Sequence, residues 1–163
     1  MLIVTDAQNL REVLNRFPDI IVYNYTSPLE GFPVLRLRPM REELVNLNDG
    51  RFDYSYEEYI FKNDQIFLEM MKIIMPLYMD QKVCLLIKQG EPFTSMAESL
   101  LKIIQHRYGY NGILINDPYD LSMIDEYFDE SDFSAPGLSM LDADKERYSY
   151  LMEYSRMKSE GLL

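Results

Sequence analysis

The chain has 163 residues, a length typical of one domain, and it is 47% hydrophobic and 26% charged, as in globular proteins rather than disordered ones. Its net charge of −11 would repel nucleic acid, and it suits either a basic protein partner or simple solubility. The single cysteine permits no intrachain disulfide, which fits a reducing cytosol. Neither a signal peptide nor a membrane-spanning run is visible, so we expect a cytoplasmic protein that does not bind membranes.

The first part of the chain predicts two strands separated by a helix. Leu2–Thr5 is apolar and short, as in a buried strand, and Asp6 is expected to cap a helix that ends at Pro18. Ile20–Tyr25 is rich in β-branched and aromatic residues, which predicts a second strand. Val34–Arg38 alternates apolar and basic side chains between two prolines, so we expect at most an edge strand there.

A long helix is predicted in the middle of the chain. Ser55 and Glu58 have the spacing of a capping box, and helical periodicity continues from there to Pro76. We expect this to be the longest helix of the protein, with a core-facing stripe of methionine and aromatic side chains.

A β-α-β unit follows this helix. Val83–Ile87 predicts a buried strand, Ser95–Tyr108 a capped helix, and Ile113–Asn116 a second strand. We expect the two strands to be parallel neighbours, with the loop between Val83–Ile87 and the helix at the edge of the sheet where α/β proteins usually bind ligands.

The C-terminal third predicts a short helix capped by Asp120, an acidic linker over residues 129–141, and a helical arm over residues 142–163. Residues 1–128 would then form an α/β domain with a small, mostly parallel sheet and helices on both faces. The arm could pack on its own domain, on a second copy of the chain or on another protein.

Five residues are candidates for binding an anion. Lys88, Thr94 and Ser95 surround the predicted start of a helix, where free N–H groups favour a phosphate or a carboxylate. Arg36 and Arg38 share one face of the predicted edge strand by their spacing. The alternative is structural: Ser95 caps its helix, and the two arginines form a solvated strand face.

We predict no catalytic residue, no metal site and no cofactor. The lone His106 lies near the end of a predicted helix, where a cation is electrostatically favourable without any catalytic role. One cysteine and one histidine exclude a zinc site built from those residues alone. Asp117 and Asp120 follow a predicted strand, but their spacing matches no calcium-binding loop, and capping accounts for Asp120.

Several segments resemble the bacterial and phage family called domain of unknown function 488. They are Arg36–Pro39, Tyr56–Ile60, and Val83–Lys88 leading into Phe93–Met96, and the resemblance spans roughly residues 1–118. The family opens its next helix with a Cys-His-Arg tripeptide, where this chain has Thr94-Ser95-Met96. The resemblance therefore implies that no catalytic residue carries over, and that the scaffold has been reused for binding, as in some phage proteins.

Our leading expectation is a non-enzymatic interaction protein that binds a protein partner through an acidic, tyrosine-rich surface and the C-terminal arm. Candidate partner-binding residues lie in the predicted linker and arm: Asp129, Glu130, Asp132, Phe133, Tyr148 and Tyr154. One alternative is an enzyme or sensor of a phosphorylated small molecule, bound at residues 88–95. Another is a structural subunit of a larger assembly, including a homo-oligomer.

Overall fold

A computed structural model describes residues 1–37, 52–89, 96–122 and 139–162 of the chain. Its four strands are β1 (Leu2–Asp6), β2 (Ile21–Asn24), β3 (Val83–Ile87) and β4 (Gly112–Ile115). The helices in these ranges are α1 (Leu10–Arg16), α2 (Phe52–Lys62), α3 (Asp64–Tyr78), α4 (Met96–Tyr108), α5 (Pro118–Ser122) and α6 (Ser139–Ser159). None of these helices is both long and apolar enough to cross a bilayer.

The described strands form one parallel sheet in the order β2-β3-β1-β4. The predicted α/β class with a small parallel sheet is therefore confirmed. The expectation that β3 and β4 are neighbours is wrong, because β1 lies between them: Ile3 is in register with Cys84 on one side and with Ile113 on the other. Apolar periodicity identifies a buried strand, but it does not specify which strands pair.

Helices cover both faces of the sheet, and alternate strand residues divide the core between them. Leu2 and Val4 of β1 face α2, α3 and α4, whereas Ile3 faces α1 and α5. The chain passes from β1 to β2 at one edge of the sheet, and then from β2 through β3 to β4 at the other edge. Because strand crossovers share one hand in nearly all proteins, steps in opposite directions place their helices on opposite faces.

The predicted long helix is two helices. Asn63 separates α2 from α3 in an extended conformation, and its side-chain oxygen accepts the N–H groups of Gln65 and Ile66 at 2.9 and 3.3 Å. This is an ordinary N-cap, and Asn63 thus starts a new helix inside one continuous apolar pattern. The predicted stop at Pro76 is also wrong, because α3 continues to Tyr78.

Three residues that were predicted to cap the start of a helix have other positions in the structure. Asp6 ends β1, and its carboxylate accepts the N–H of Asn9, immediately before α1 begins at Leu10. Ser55 lies inside α2, which begins at Phe52, and Asp120 lies inside α5. In each case the residue type suits a cap, but the helix begins two to four residues away from it.

The predicted edge strand is reduced to one parallel bridge between Asn24 and Val34. The N–H of Leu35 donates to the Asn24 carbonyl at 2.8 Å, which fixes this short contact beside β2. The last three residues of the predicted linker, 139–141, belong to α6, and residues 129–138 lie outside the described part of the chain.

We predict that burial of Cys84 makes the stability of the fold depend on alkaline pH. Burial raises the pKa of this thiol from an ordinary 9.0 to about 12, so the unfolded chain releases its proton at lower pH than the folded chain. The buried thiol therefore contributes fully to the free energy of unfolding below pH 9. This contribution falls as the pH rises towards 12, by up to about 1.4 kcal/mol per pH unit.

The measurement is denaturant unfolding of the wild type and Cys84→Ala at about pH 8 and pH 10.5. At the lower pH the cavity makes the variant less stable than the wild type. We expect this difference in free energy of unfolding to shrink by about 2 kcal/mol at the higher pH, because only the wild type loses the thiol contribution. The buried tyrosines titrate in both proteins and cancel in the comparison. An equal deficit at both values of pH would contradict this interpretation.

Candidate functional site

The carboxyl ends of β1 and β3 form a topological switch point, because these neighbouring strands continue into helices on opposite faces of the sheet. Ligands of open α/β sheets usually bind in the crevice at such a point. Here the side-chain amide of Gln89 donates to the side-chain oxygen of Gln8 at 3.1 Å. This hydrogen bond connects the loops that follow the two strands.

Lys88 lies at the switch point with an exposed side chain, and its backbone N–H donates to the Thr26 hydroxyl at 2.8 Å. Arg36 lies beyond the bridge to β2, and its backbone N–H donates to a carboxylate oxygen of Glu69 at 3.1 Å. The nearby carboxylate disfavours an anion at Arg36. The other three anion-binding candidates, Arg38, Thr94 and Ser95, lie outside the described residues.

Polar side chains around the carboxyl end of β4 bond to its backbone. The carboxylate of Asp120 accepts the N–H groups of Asn116 and Asp117 at 2.8 and 3.2 Å, and the Asn9 amide donates to the Asn116 carbonyl at 3.0 Å. These bonds satisfy the backbone where β4 turns into α5. The described ranges contain no group of three or more His, Cys, Asp or Glu side chains arranged to hold a metal ion.

The lone cysteine and the lone histidine lie on different elements, on opposite faces of the sheet. Cys84 is fully buried within β3, and burial raises the pKa of its thiol, which keeps it protonated near neutral pH. His106 is exposed near the C-terminal end of α4, with Nδ1 3.9 Å from a carboxylate oxygen of Glu57. Since α4 leads from the end of β3 back to the start of β4, His106 lies at the opposite edge of the sheet from Lys88.

A second candidate surface lies on α6, whose first half is anchored to the domain by a buried acid. Asp144 is 4% exposed and accepts two hydrogen bonds from Arg107, each 3.0 Å, and one from the Tyr108 hydroxyl at 2.6 Å. Burial and the hydrogen bond to Asp144 raise the pKa of Tyr108 well above its ordinary value. Burial opposes ionisation of Arg107, but the hydrogen bonds and charge of Asp144 prevail and raise its pKa.

A second anchor lies one helical turn further along α6. Arg147 donates to the Phe61 carbonyl at 2.6 Å and to the Asp64 carboxylate at 2.7 Å, at the junction of α2 and α3. Its guanidinium also lies 4.1 Å from the centre of the Phe67 ring. Together with the packing of Tyr148 and Leu151 on the core, these contacts dock the first half of α6 on its own domain.

The second half of α6 extends into solvent. From residue 152 to 162 every side chain is exposed except that of Met157, which is half-buried. Tyr150 is 68% exposed, and Met152 and Tyr154 are each 48% exposed. We call residues 150–162 the projecting segment of α6, within which Leu151 alone of residues 150–152 packs on the core.

The projecting segment carries its own helix-stabilising contacts. Arg156 forms ion pairs with Glu153 and Glu160 along the helix. At the C-terminus Gly161 has a φ of +73°, and the N–H of Leu162 donates to the Met157 carbonyl at 2.9 Å. This is a Schellman motif, which satisfies the last carbonyl groups and ends the helix.

The predicted partner-binding residues therefore have different positions. Tyr148 is half-buried and packs on the core, whereas Tyr154 is exposed on the projecting segment. The remaining four lie outside the described part of the chain: Asp129, Glu130, Asp132 and Phe133. Sequence reasoning missed Tyr150, although its four-residue spacing from Tyr154 places both on one side of a helix.

Comparisons with known proteins give no relative on which to base a function. No protein-family profile matches the chain, and neither a curated protein nor a solved structure is significantly similar to it. The resemblance to the domain of unknown function 488 family therefore stays a prediction.

Proposed function

We propose that this chain is a non-enzymatic interaction protein that binds a protein partner through the projecting segment of α6. The observation that carries the proposal is the exposure of Tyr150, Met152 and Tyr154 on a helix whose other half is held by a buried ion pair. Tyrosine and methionine are enriched in protein interfaces, where a large side chain buries much apolar area on binding.

The anchored geometry supports this function because it lowers the entropic cost of binding. A free peptide of this length would be mostly unfolded in water. Here the docked half of α6 supplies the helical nucleus, and the Gly161 cap ends the helix. The segment thus presents its side chains on a helix that is already formed, which improves affinity by pre-organisation.

The net charge of the protein would act on an approaching partner at longer range than the side-chain contacts. The whole chain has a net charge of −11, whereas the projecting segment contains two acidic and two basic residues and is neutral. The excess acidity therefore lies elsewhere on the molecule. It would steer a basic partner towards the protein, while the apolar side chains of the segment would supply most of the binding energy.

The test is affinity capture from a lysate of the source cells with the full chain, followed by quantification of each captured protein. Replacing both Tyr150 and Tyr154 with serine removes two exposed rings and leaves the docked half of α6 intact. We expect roughly tenfold less of a specific partner to be captured, because buried aromatic anchors dominate many interfaces.

Met79→Ser is the matched control, since Met79 is 66% exposed and lies outside α6. It should capture the partner as the wild type does, and all three proteins should unfold at the same denaturant concentration. A capture profile that does not change when both tyrosines are replaced would contradict the proposal.

A second candidate function is the binding of a phosphorylated small molecule at the switch point, and it would make the protein an enzyme or a sensor. The observation that favours it is the exposed Lys88 side chain beside the Gln8–Gln89 bond, where α/β sheets usually bind ligands. A nucleotide that binds there should raise the melting temperature, and Lys88→Ala should abolish the shift. Lys62→Ala is the control, and a shift that persists in Lys88→Ala would exclude this candidate.

A further inference from the structure

One row of side chains on the projecting segment has the spacing of a helix-pairing seam. Tyr150, Tyr154 and Met157 follow one another at intervals of four and three residues, and the helix ends shortly after them at Ser159. Alternation of three and four residues is the pattern by which helices pack side by side in coiled coils. We call these three residues the α6 seam. In heptad terms Tyr150 and Met157 occupy d positions, and Tyr154 occupies the a position between them.

We propose that the α6 seam pairs with the same seam of a second copy of this chain, with the two helices parallel. This inference rests on the proposed function, since it names a partner of the projecting segment, and that partner is an acidic second copy rather than the basic protein considered above. It follows from the charges beside the seam and from the direction in which the docked domain lies.

The charges beside the seam favour a parallel pair. Glu153 occupies a g position and Lys158 the e position five residues later. In a parallel pair, Glu153 of each helix faces Lys158 of the other, so two-fold symmetry forms the ion pair twice. In an antiparallel pair the g positions would face each other, which would bring Glu153 near Glu160 of the second copy and cause repulsion.

The side chains that would make these pairs are accessible. Lys158 is exposed and forms no ion pair with any residue in the described ranges. Glu153 is exposed and pairs with Arg156 of its own helix, which leaves it able to accept a second cation. The neutral charge of the segment also limits repulsion between two chains that each carry a charge of −11.

The described part of the domain docks on a different side of α6 from the seam. At about 100° per residue, the seam lies roughly a third of a turn around α6 from Asp144, Tyr148 and Leu151, which face the domain. Each domain therefore lies to one side of the line that joins the two helices. A two-fold axis between the helices places the two domains on opposite sides of the pair.

The test is sedimentation velocity of the full chain over a range from about 1 to 300 µM, because a seam shorter than two heptads belongs to the weak class of interfaces. We expect a concentration-dependent dimer for the wild type and for Met79→Ser. Replacement of Tyr150 and Tyr154 with serine should leave a monomer throughout. Circular dichroism and denaturant unfolding should show that each variant is folded.

A charge exchange tests the orientation. Lys158→Glu alone would place two acids opposite each other and should weaken the dimer at least tenfold. Adding Glu153→Lys reverses both pairs and should restore the dimer. Antiparallel pairing predicts little effect of Lys158→Glu, so that result would overturn the parallel arrangement.

The two proposals can fail separately. If the wild type stays monomeric at every concentration while the tyrosine variant loses a captured partner, self-pairing is wrong and the proposed function stands. If the tyrosine variant still dimerises, the α6 seam is not the interface and this inference is wrong. If the chain neither dimerises nor depends on the tyrosines for capture, both proposals fail.

Discussion

The position of α6 depends on one buried cluster, in which Asp144 accepts hydrogen bonds from Arg107 and from Tyr108. A buried carboxylate is unfavourable unless its charge is compensated and its oxygen atoms are hydrogen-bonded, and this site meets both requirements. Removing one partner would leave an uncompensated charge in the protein. The cluster therefore sets the register of α6 on α4, and with it the point at which the helix leaves the surface and exposes Tyr150.

The sheet offers a ligand-binding position in its topology but few reactive groups at that position. In the described part of the chain, several polar groups at the carboxyl edge complete the backbone of the turns, as Asp120 and Asn9 do. Among the described residues beside the Gln8–Gln89 bond, Lys88 has an exposed cationic side chain. The two exposed tyrosines of α6 are a more specific feature, which is why we place binding there first.

The elements that could be predicted from the sequence are those with strong local signals. The strands β1 and β3 were predicted from their apolar runs and are confirmed. Such runs are typical of central parallel strands, which are buried on both faces. The order of the strands was not accessible, since β1 pairs with residues more than 75 positions away. Asn63 was missed because the apolar periodicity continues across it, although its side chain caps a new helix.

The features of the candidate site could also be predicted only in part from the sequence. Tyr154 is exposed, and its role as a partner contact stays a prediction. The role of Asp144 could not be predicted, since its partners Arg107 and Tyr108 are more than 30 residues away and an acidic residue in a polar helix gives no signal of burial. Long-range compensation of charge is visible only in three dimensions.

Amide hydrogen exchange along α6 tests most directly whether the buried cluster holds the helix to the domain. Residues 144–151 should exchange about a hundredfold more slowly than residues 152–160, because their opening requires the buried ion pair to break. In Asp144→Ala the first half should exchange as fast as the second, while the amides of β1 stay protected. Uniform exchange along the wild-type helix, or unchanged protection of residues 144–151 in the variant, would contradict this account.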